Sequence, residues 1–230
     1  MPNASLRALY SAIANGDETQ ASRLLRASPA VARDAVTSGA TRASSNGYFL
    51  AAIERYVYAG DTALHIAAAA YRVDIARKLV SLGANPSARN RLGAEPLHYA
   101  AVGRPGSANW NPEAQAECIE YLIAVGADPH ATDKIGAMPL HRAVRTRSAA
   151  AVRVLLTHGA DARGKNGSGS TPLHLAVQNT GRGGSGSTEA KVQQEEITRL
   201  LFEHGAKPSD TDARGRRSDL IRRHSIKENR

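Results

Sequence analysis

The chain has one cysteine, few aromatic residues and no long apolar run. Cys118 is the only cysteine among the 230 residues, which excludes an intrachain disulfide and is compatible with a reducing compartment. No apolar stretch reaches the roughly 18 residues of a membrane span, and the first residues do not read as a signal peptide. We therefore expect a cytoplasmic protein without a membrane partner. Because only 4% of the residues are aromatic, we expect a core of small aliphatic side chains, which suits thin and closely stacked helices.

Catalytic and cofactor motifs are also missing. No Ser-His-Asp or Cys-His arrangement, carboxylate cluster or metal-ligand spacing occurs in a recognisable context. The glycine-rich octet T-G-R-G-G-S-G-S at 180–187 lacks the preceding strand and the following lysine of a phosphate-binding loop. We therefore expect no enzyme activity, no cofactor and no metal. The octet is interpreted as a mobile and dispensable insert.

Positive charge is what the chain has in excess. The formal net charge is +9 and the isoelectric point is about 10.0. This balance favours an acidic partner, which is a protein, a nucleic acid or a phosphate group. The alternative interpretation is that scattered charge only keeps the protein soluble.

An internal repeat organises most of the chain. Four segments begin at Gly60, Gly93, Gly136 and Gly169 and read G-D-T-A-L-H-I-A-A, G-A-E-P-L-H-Y-A-A, G-A-M-P-L-H-R-A-V and G-S-T-P-L-H-L-A-V. Each is followed by an apolar, helix-like run that closes on a second signature, such as L-V-S-L-G-A-N-P or L-L-T-H-G-A-D-A. The recurrence of both signatures in one register predicts stacked structural repeats.

The T-P-L-H and G-A-D signatures in register closely resemble the ankyrin repeat. The resemblance covers almost the whole chain and implies an all-α solenoid of helix-turn-helix units with β-turn fingers, an N-terminal helical cap and a C-terminal half-repeat. The expected boundaries are a capping repeat plus insert at 1–59, four repeats at 60–92, 93–135, 136–168 and 169–214, and a capping helix and tail at 215–230.

Each repeat carries one histidine at the same position: His65, His98, His141 and His174. The resemblance implies that these histidines hydrogen-bond at the base of the β-turn. Stacked repeats also hold equivalent side chains about 10 Å apart, which is too far for them to share one zinc ion. Thr171 is expected to cap its helix, and Glu95 and Met138 replace this capping threonine in the middle repeats.

Three inserts interrupt the regular period. The first spans about 28–59, where the helical spacing of Phe49, Ile53, Tyr56 and Val57 predicts a short helix whose aromatic residues pack in the core. The other two inserts, at 103–112 and 180–188, lie between the first and second helices of their repeats. Their roles are not evident from the sequence.

The resemblance implies a non-catalytic scaffold that binds a protein, here an acidic one, through the concave face. That face is built from β-turn tips and from first-helix positions that we expect to be exposed, among them Ile66. The candidate partner-binding residues are Arg91, Lys134, Arg142, Arg145, Tyr99, Gln178 and Trp110. Trp110 alternatively packs over its own loop. We expect a monomer. Binding of nucleic acid or another polyanion, and regulation or inhibition of a partner enzyme, remain alternatives.

Overall fold

The computed structural model describes residues 4–45, 47–107, 110–178, 187–212 and 214–217. Within these residues the chain forms ten α-helices, which confirms the prediction of an all-α repeat fold. The helices are α1 Ala4–Asn15, α2 Glu18–Ala27, α3 Ala63–Ala69, α4 Val73–Ser81, α5 Pro96–Ala100, α6 Pro112–Ala124, α7 Pro139–Arg145, α8 Ala149–Thr157, α9 Pro172–Ala176 and α10 Thr188–Glu203. Two short strands, β1 Phe49–Leu50 and β2 Arg55–Tyr56, pair antiparallel.

The described residues fall into two compact units. Unit 1 contains those within 1–100 and 117–128, and unit 2 contains those within 101–116 and 129–230. In unit 1, α3 packs against α1, α4 and α5, and α1 packs against α2. In unit 2, α7 packs against α8 and α9, and α10 packs against both α8 and α9.

The first and second helices of a repeat bury different amounts of surface. All residues of α3, with the sequence A-L-H-I-A-A-A, are buried. In α4, by contrast, Ile75, Ala76 and Leu79 are buried while Asp74 and Arg77 face solvent. Small side chains therefore let the first helices pack closely on both sides, and amphipathic second helices cover them.

Serine and glycine residues mark several helix ends. Ser148 and Ser187 cap α8 and α10 by accepting hydrogen bonds from backbone N–H groups three residues on. Gly205 follows α10 with a φ of 88°, the left-handed conformation that glycine adopts without steric cost. Gly83, Gly126 and Gly159 take the same conformation after α4, α6 and α8.

The helix predicted from the spacing of Phe49, Ile53, Tyr56 and Val57 does not form; a single 3₁₀ turn, Ala51–Ile53, lies between two strands instead. Phe49 and Tyr56 are cross-strand partners in a hairpin whose reversal includes Glu54, which has a φ of 45°. A separation of seven residues places two side chains on one helical face, but it also places them opposite each other in this short hairpin. The core prediction fails as well, since Phe49 is 48% and Tyr56 41% exposed, although Val57 is buried.

At the C-terminal end, the described residues reach Arg217, which forms an isolated β-bridge with Thr211. The predicted capping helix after residue 217 lies outside the described residues.

Candidate interaction surface

The turns that precede α5, α7 and α9, and the turn after α10, are each held by one Asn or Asp side chain. Asp133 Oδ1 accepts hydrogen bonds from the backbone N–H groups of Ile135 and Ala137, both at 2.9 Å. The same pair of bonds forms at Asn90, Asn166 and Asp212. Because the side chain holds the turn from inside, the residues at the turn tip are left facing solvent.

The repeated histidines tie these turns to the helices. His65 is fully buried; its Nδ1 accepts from the Thr62 N–H at 3.1 Å, and its Nε2 lies 3.1 Å from the Ala94 carbonyl oxygen. His141 and His174 make the same two contacts. Burial lowers the pKa of His65, which favours the neutral ring that this bonding pattern needs. The predicted hydrogen bonding at the base of the turn is confirmed.

In unit 2, Arg142 of α7 bonds to the side chain of Asp133. The carboxylate side chain is 1% exposed and the guanidinium side chain 23%. Burial by itself would raise the pKa of Asp133, but hydrogen bonds from Arg142 and from two backbone N–H groups outweigh burial and lower the pKa. The expectation that Arg142 is freely exposed is therefore wrong: this arginine neutralises a buried carboxylate.

Two other predicted cations of unit 2 are open to solvent. Lys134 at the turn tip and Arg145 in the last turn of α7 are exposed, and among the described residues neither has an ion-pair partner. Ile135, beside Lys134, is 63% exposed, and its carbonyl oxygen accepts from the Gly167 N–H of the next turn at 2.9 Å. Together with Arg142 and Gln178, these residues are named the α7 basic surface.

Gln178, the remaining predicted residue of unit 2, is held through its backbone. Its carbonyl oxygen accepts from Arg147 Nη2 at 2.8 Å and from Gln194 Nε2 at 2.8 Å. Arg147 also donates to the carbonyl oxygens of Leu175 and Ala176, so its charge caps the end of α9. Burial lowers the pKa of Arg147. Its role is structural, whereas Gln178 itself remains exposed.

In unit 1, Tyr99 is buried rather than exposed, which corrects its assignment as a partner contact. It is 5% exposed, and its hydroxyl group donates to the Asp61 carboxylate, 2.9 Å from Oδ1. Burial and the nearby Asp61 charge raise the pKa of Tyr99 well above its usual value. Ile66, another first-helix position, is completely buried. The expectation that these two positions are exposed is therefore wrong.

Arg91 at the unit 1 turn tip is exposed, but its guanidinium group is engaged. Nη2 donates to the Ala40 carbonyl oxygen, and Cζ lies 5.1 Å from the centre of the Tyr58 ring. Both partners belong to the first insert. Arg91 therefore holds that insert, and its assignment to partner binding stays a prediction.

Trp110 in unit 2 is half-buried against its own insert. Its Nε1 donates to Gln115 Oε1 at 2.9 Å, and the same oxygen accepts from Ser148 Oγ at 2.7 Å. Gln115 is completely buried. These bonds tie the Trp110 side chain to α6, and its assignment to partner binding stays a prediction.

Other predicted features bear less on the site. Of the octet at 180–187, only Ser187 lies among the described residues. In the described part of the chain, no three or more His, Cys, Asp or Glu side chains are grouped so as to hold a metal ion. No described helix combines the length and apolar character needed to cross a membrane.

Sequence reasoning missed one exposed residue of the α7 basic surface and the outward-facing aromatic pair of the first insert. Ile135 occupies the position before the opening glycine of its repeat, where Leu92 stands one repeat earlier and is also exposed. Comparing the residue before the opening glycine in successive repeats could therefore have identified Ile135 from the sequence. No comparable signal exists for the hairpin, because the insert occurs once.

Comparisons with known proteins agree with the geometry. A family model described as ankyrin repeats in three copies matches residues 107–212, and a model of the single ankyrin repeat matches residues 59–91. The two matches cover more than half of the chain. A search of curated proteins returned no match.

Proposed function

Because the chain belongs to the ankyrin-repeat family, whose repeats are in general protein-interaction modules, we propose that it is a non-catalytic scaffold that binds an acidic protein through the α7 basic surface. The observation that carries this proposal is the exposure of Lys134 and Arg145, which have no acidic partner among the described residues.

The pairing of several other arginines of unit 2 supports the choice of surface. Arg153, Arg163 and Arg199 all form ion pairs with Glu or Asp side chains, as does Arg142. Arg147 caps a helix. Lys134 and Arg145 are therefore the cations of the α7 basic surface whose charge is not neutralised by the described chain.

Such a surface acts chiefly on the rate of encounter. Like charges on adjacent elements add into one field, which accelerates association with an acidic partner and is screened beyond about 8 Å at physiological ionic strength. Arg145 also lies in the last turn of α7, where its charge favours the helix dipole. That local effect is small and leaves the charge accessible to a partner.

The test begins with a partner captured from cells that produce the protein and identified by mass spectrometry. Its association and dissociation rates are then measured for the wild type and for Lys134→Glu/Arg145→Glu. The matched control is Lys191→Glu/Lys207→Glu, which reverses two exposed lysines outside the α7 basic surface. All three proteins are also tested for binding to double-stranded DNA.

We expect the surface variant to associate about tenfold more slowly, with dissociation almost unchanged and with the control close to wild type. Raising the salt concentration to about 0.5 M should remove most of the difference, because the screening length falls below about 5 Å. Equal slowing in both variants would show that only net charge matters. Tighter binding to DNA than to any acidic protein would favour the nucleic-acid alternative, and inhibition of a captured enzyme would identify a regulator.

A further inference from the structure

The hairpin in the first insert has two chemically different faces. On the inner face, Arg55 places its Cζ atom 5.0 Å from the centre of the Tyr99 ring. Leu50, also half-buried, lines a cavity of about 30 Å³ together with Tyr10 and Val57. The inner face is thus seated on unit 1, over the first-helix position that sequence reasoning assigned to a partner.

The outer face presents an aromatic pair to solvent. The rings of Phe49 and Tyr56 lie 5.0 Å apart with an angle of 50° between their planes, and the side chains are about half exposed. Half-exposed neighbouring aromatic side chains offer a large, rigid apolar area at low entropic cost, which is typical of residues that dominate binding energy.

Three arginines lie on or against the insert that carries this pair. Arg7 donates to the Gly47 carbonyl oxygen at 2.7 Å, and Arg91 donates to that of Ala40, so both guanidinium groups lie against the insert. Arg42 within the insert is exposed as well. Glu54, in the turn between the strands, is the acidic residue of the hairpin itself. An insert that carries positive charge and an exposed apolar pair is complementary to an acidic segment with an apolar side chain.

We propose that the outer face of the β1–β2 hairpin is a second protein-binding site, which takes an acidic segment carrying an aromatic or aliphatic anchor residue that packs on the exposed pair Phe49 and Tyr56. The inner face of the hairpin covers a first-helix position that was expected to contact a partner. The outer face exposes a different surface for such a contact. This site goes beyond the α7 basic surface and uses none of its residues.

The ring geometry favours a protein over single-stranded nucleic acid. Bases stack on a flat and accessible aromatic face. Here the two rings contact each other at an angle of 50°, so together they present no single flat face and suit a side chain that packs against both rings. An oligonucleotide is nevertheless included as a probe in the test.

The test compares two labelled polymers of equal length, poly-glutamate and a copolymer of glutamate and tyrosine, by fluorescence anisotropy at about 0.15 M salt. Both polymers are acidic, but only the copolymer carries tyrosine. The ratio of their dissociation constants therefore measures the contribution of the tyrosine side chains apart from the general attraction of an acidic polymer to a basic protein. It is measured for the wild type, for Phe49→Ser/Tyr56→Ser, for the aromatic exchange Phe49→Tyr/Tyr56→Phe, and for Phe202→Ser. Phe202 is the matched control because it is 45% exposed on α10. Circular dichroism checks that each variant is folded, and the aromatic exchange keeps the test valid if the serine variant unfolds.

We expect the wild type to bind the copolymer about tenfold more tightly than poly-glutamate, which corresponds to about 1.4 kcal/mol. The serine variant should bring this ratio close to one, while the aromatic exchange, Phe202→Ser and Lys134→Glu/Arg145→Glu retain it. A failure of the proposed function therefore leaves this result intact. Equal affinity of the wild type for both polymers overturns the proposal, as does a preference that survives in the serine variant. Tighter binding of oligo(dT) that depends on Phe49 and Tyr56 overturns it in favour of nucleic acid.

Discussion

The guanidinium group of Arg142 bonds to the carboxylate of Asp133, a residue that lies nine positions earlier and also holds the turn through two backbone N–H groups. One carboxylate thus joins the turn to α7. This relationship separates two arginines that look alike in the segment H-R-A-V-R, because Arg142 serves the fold whereas Arg145 faces solvent.

Arg142→Ala should destabilise the protein, and Arg145→Ala should not. Removing Arg142 leaves Asp133 buried without a charged partner, which costs about 1–3 kcal/mol of unfolding free energy. Removing an exposed and unpaired arginine changes stability by less than about 0.5 kcal/mol. Urea unfolding followed by circular dichroism measures both. Equal stabilities for the two variants would contradict the structural role of Arg142.

The cost of Arg142→Ala should depend on pH. Because the pKa of Asp133 in the folded protein lies below its unfolded value of about 3.9, the charged pair stabilises the fold above that pH. Its contribution is lost as the pH falls through the folded pKa. The stability difference between wild type and variant should therefore be largest near neutral pH and shrink toward about pH 3. A difference that is constant over this range would show that the carboxylate charge is not involved.

Glu95→Thr should stabilise unit 1. Glu95 stands where Thr62 caps α3; it is 6% exposed, and its Oε2 has no hydrogen-bond partner among the described residues. A threonine restores the cap and removes a buried carboxylate, which should add about 1 kcal/mol to the unfolding free energy at pH 7. Met138→Thr tests the cap alone, and Glu95→Gln tests the charge alone. A lower melting temperature for Glu95→Thr would refute this account.

The unfolding free energy gained by Glu95→Gln should increase with pH. Burial raises the pKa of Glu95, although Arg89 partly opposes this effect. A raised folded pKa means that protonated Glu95 favours the fold below the unfolded pKa of about 4.3 and that this benefit is lost as the pH rises. The gain should thus be largest near pH 7 and small near pH 4, as measured by thermal unfolding in matched buffers.

Gln115→Ala should release the only tryptophan of the chain. Trp110 Nε1 and Ser148 Oγ both donate to Gln115 Oε1, so the truncation leaves two donors without this acceptor and costs about 1–3 kcal/mol. Trp110 should then emit at longer wavelength and be quenched more strongly by acrylamide. Trp110→Phe, which keeps a ring and loses the N–H donor, is the matched control for stability. Unchanged emission in Gln115→Ala would exclude the bond as the anchor of the loop.

Asp61→Ala should destabilise unit 1 more than Tyr99→Phe does. The Asp61 carboxylate is completely buried and accepts from Asn90 Nδ2, the Tyr99 hydroxyl group and the Tyr58 N–H. Its removal orphans three donors and should cost about 3 kcal/mol, whereas Tyr99→Phe removes one donor and costs about 1 kcal/mol. Thermal unfolding compares the two. The reverse order would mean that ring packing, not the carboxylate, dominates this network.

Local patterns in the sequence determined the repeat fold. The two repeat signatures depend on neighbouring residues and on a spacing that recurs, so the repeated helices could be predicted from the sequence. The bonding of His65 and its equivalents follows from the same recurrence, because one geometry serves every repeat.

Only the tertiary structure decided which residues of the predicted surface are available. Arg142 and Arg145 lie in the same short segment, yet only Arg142 forms an ion pair with a carboxylate outside the helix. Tyr99 occupies a position that repeats leave open, but an insert that occurs once folds over it through Arg55. In the same insert, apolar residues that are spaced as in a helix form a hairpin instead. Pairing and coverage depend on groups that are distant along the chain, and a repeat pattern carries no information about an element that is not repeated.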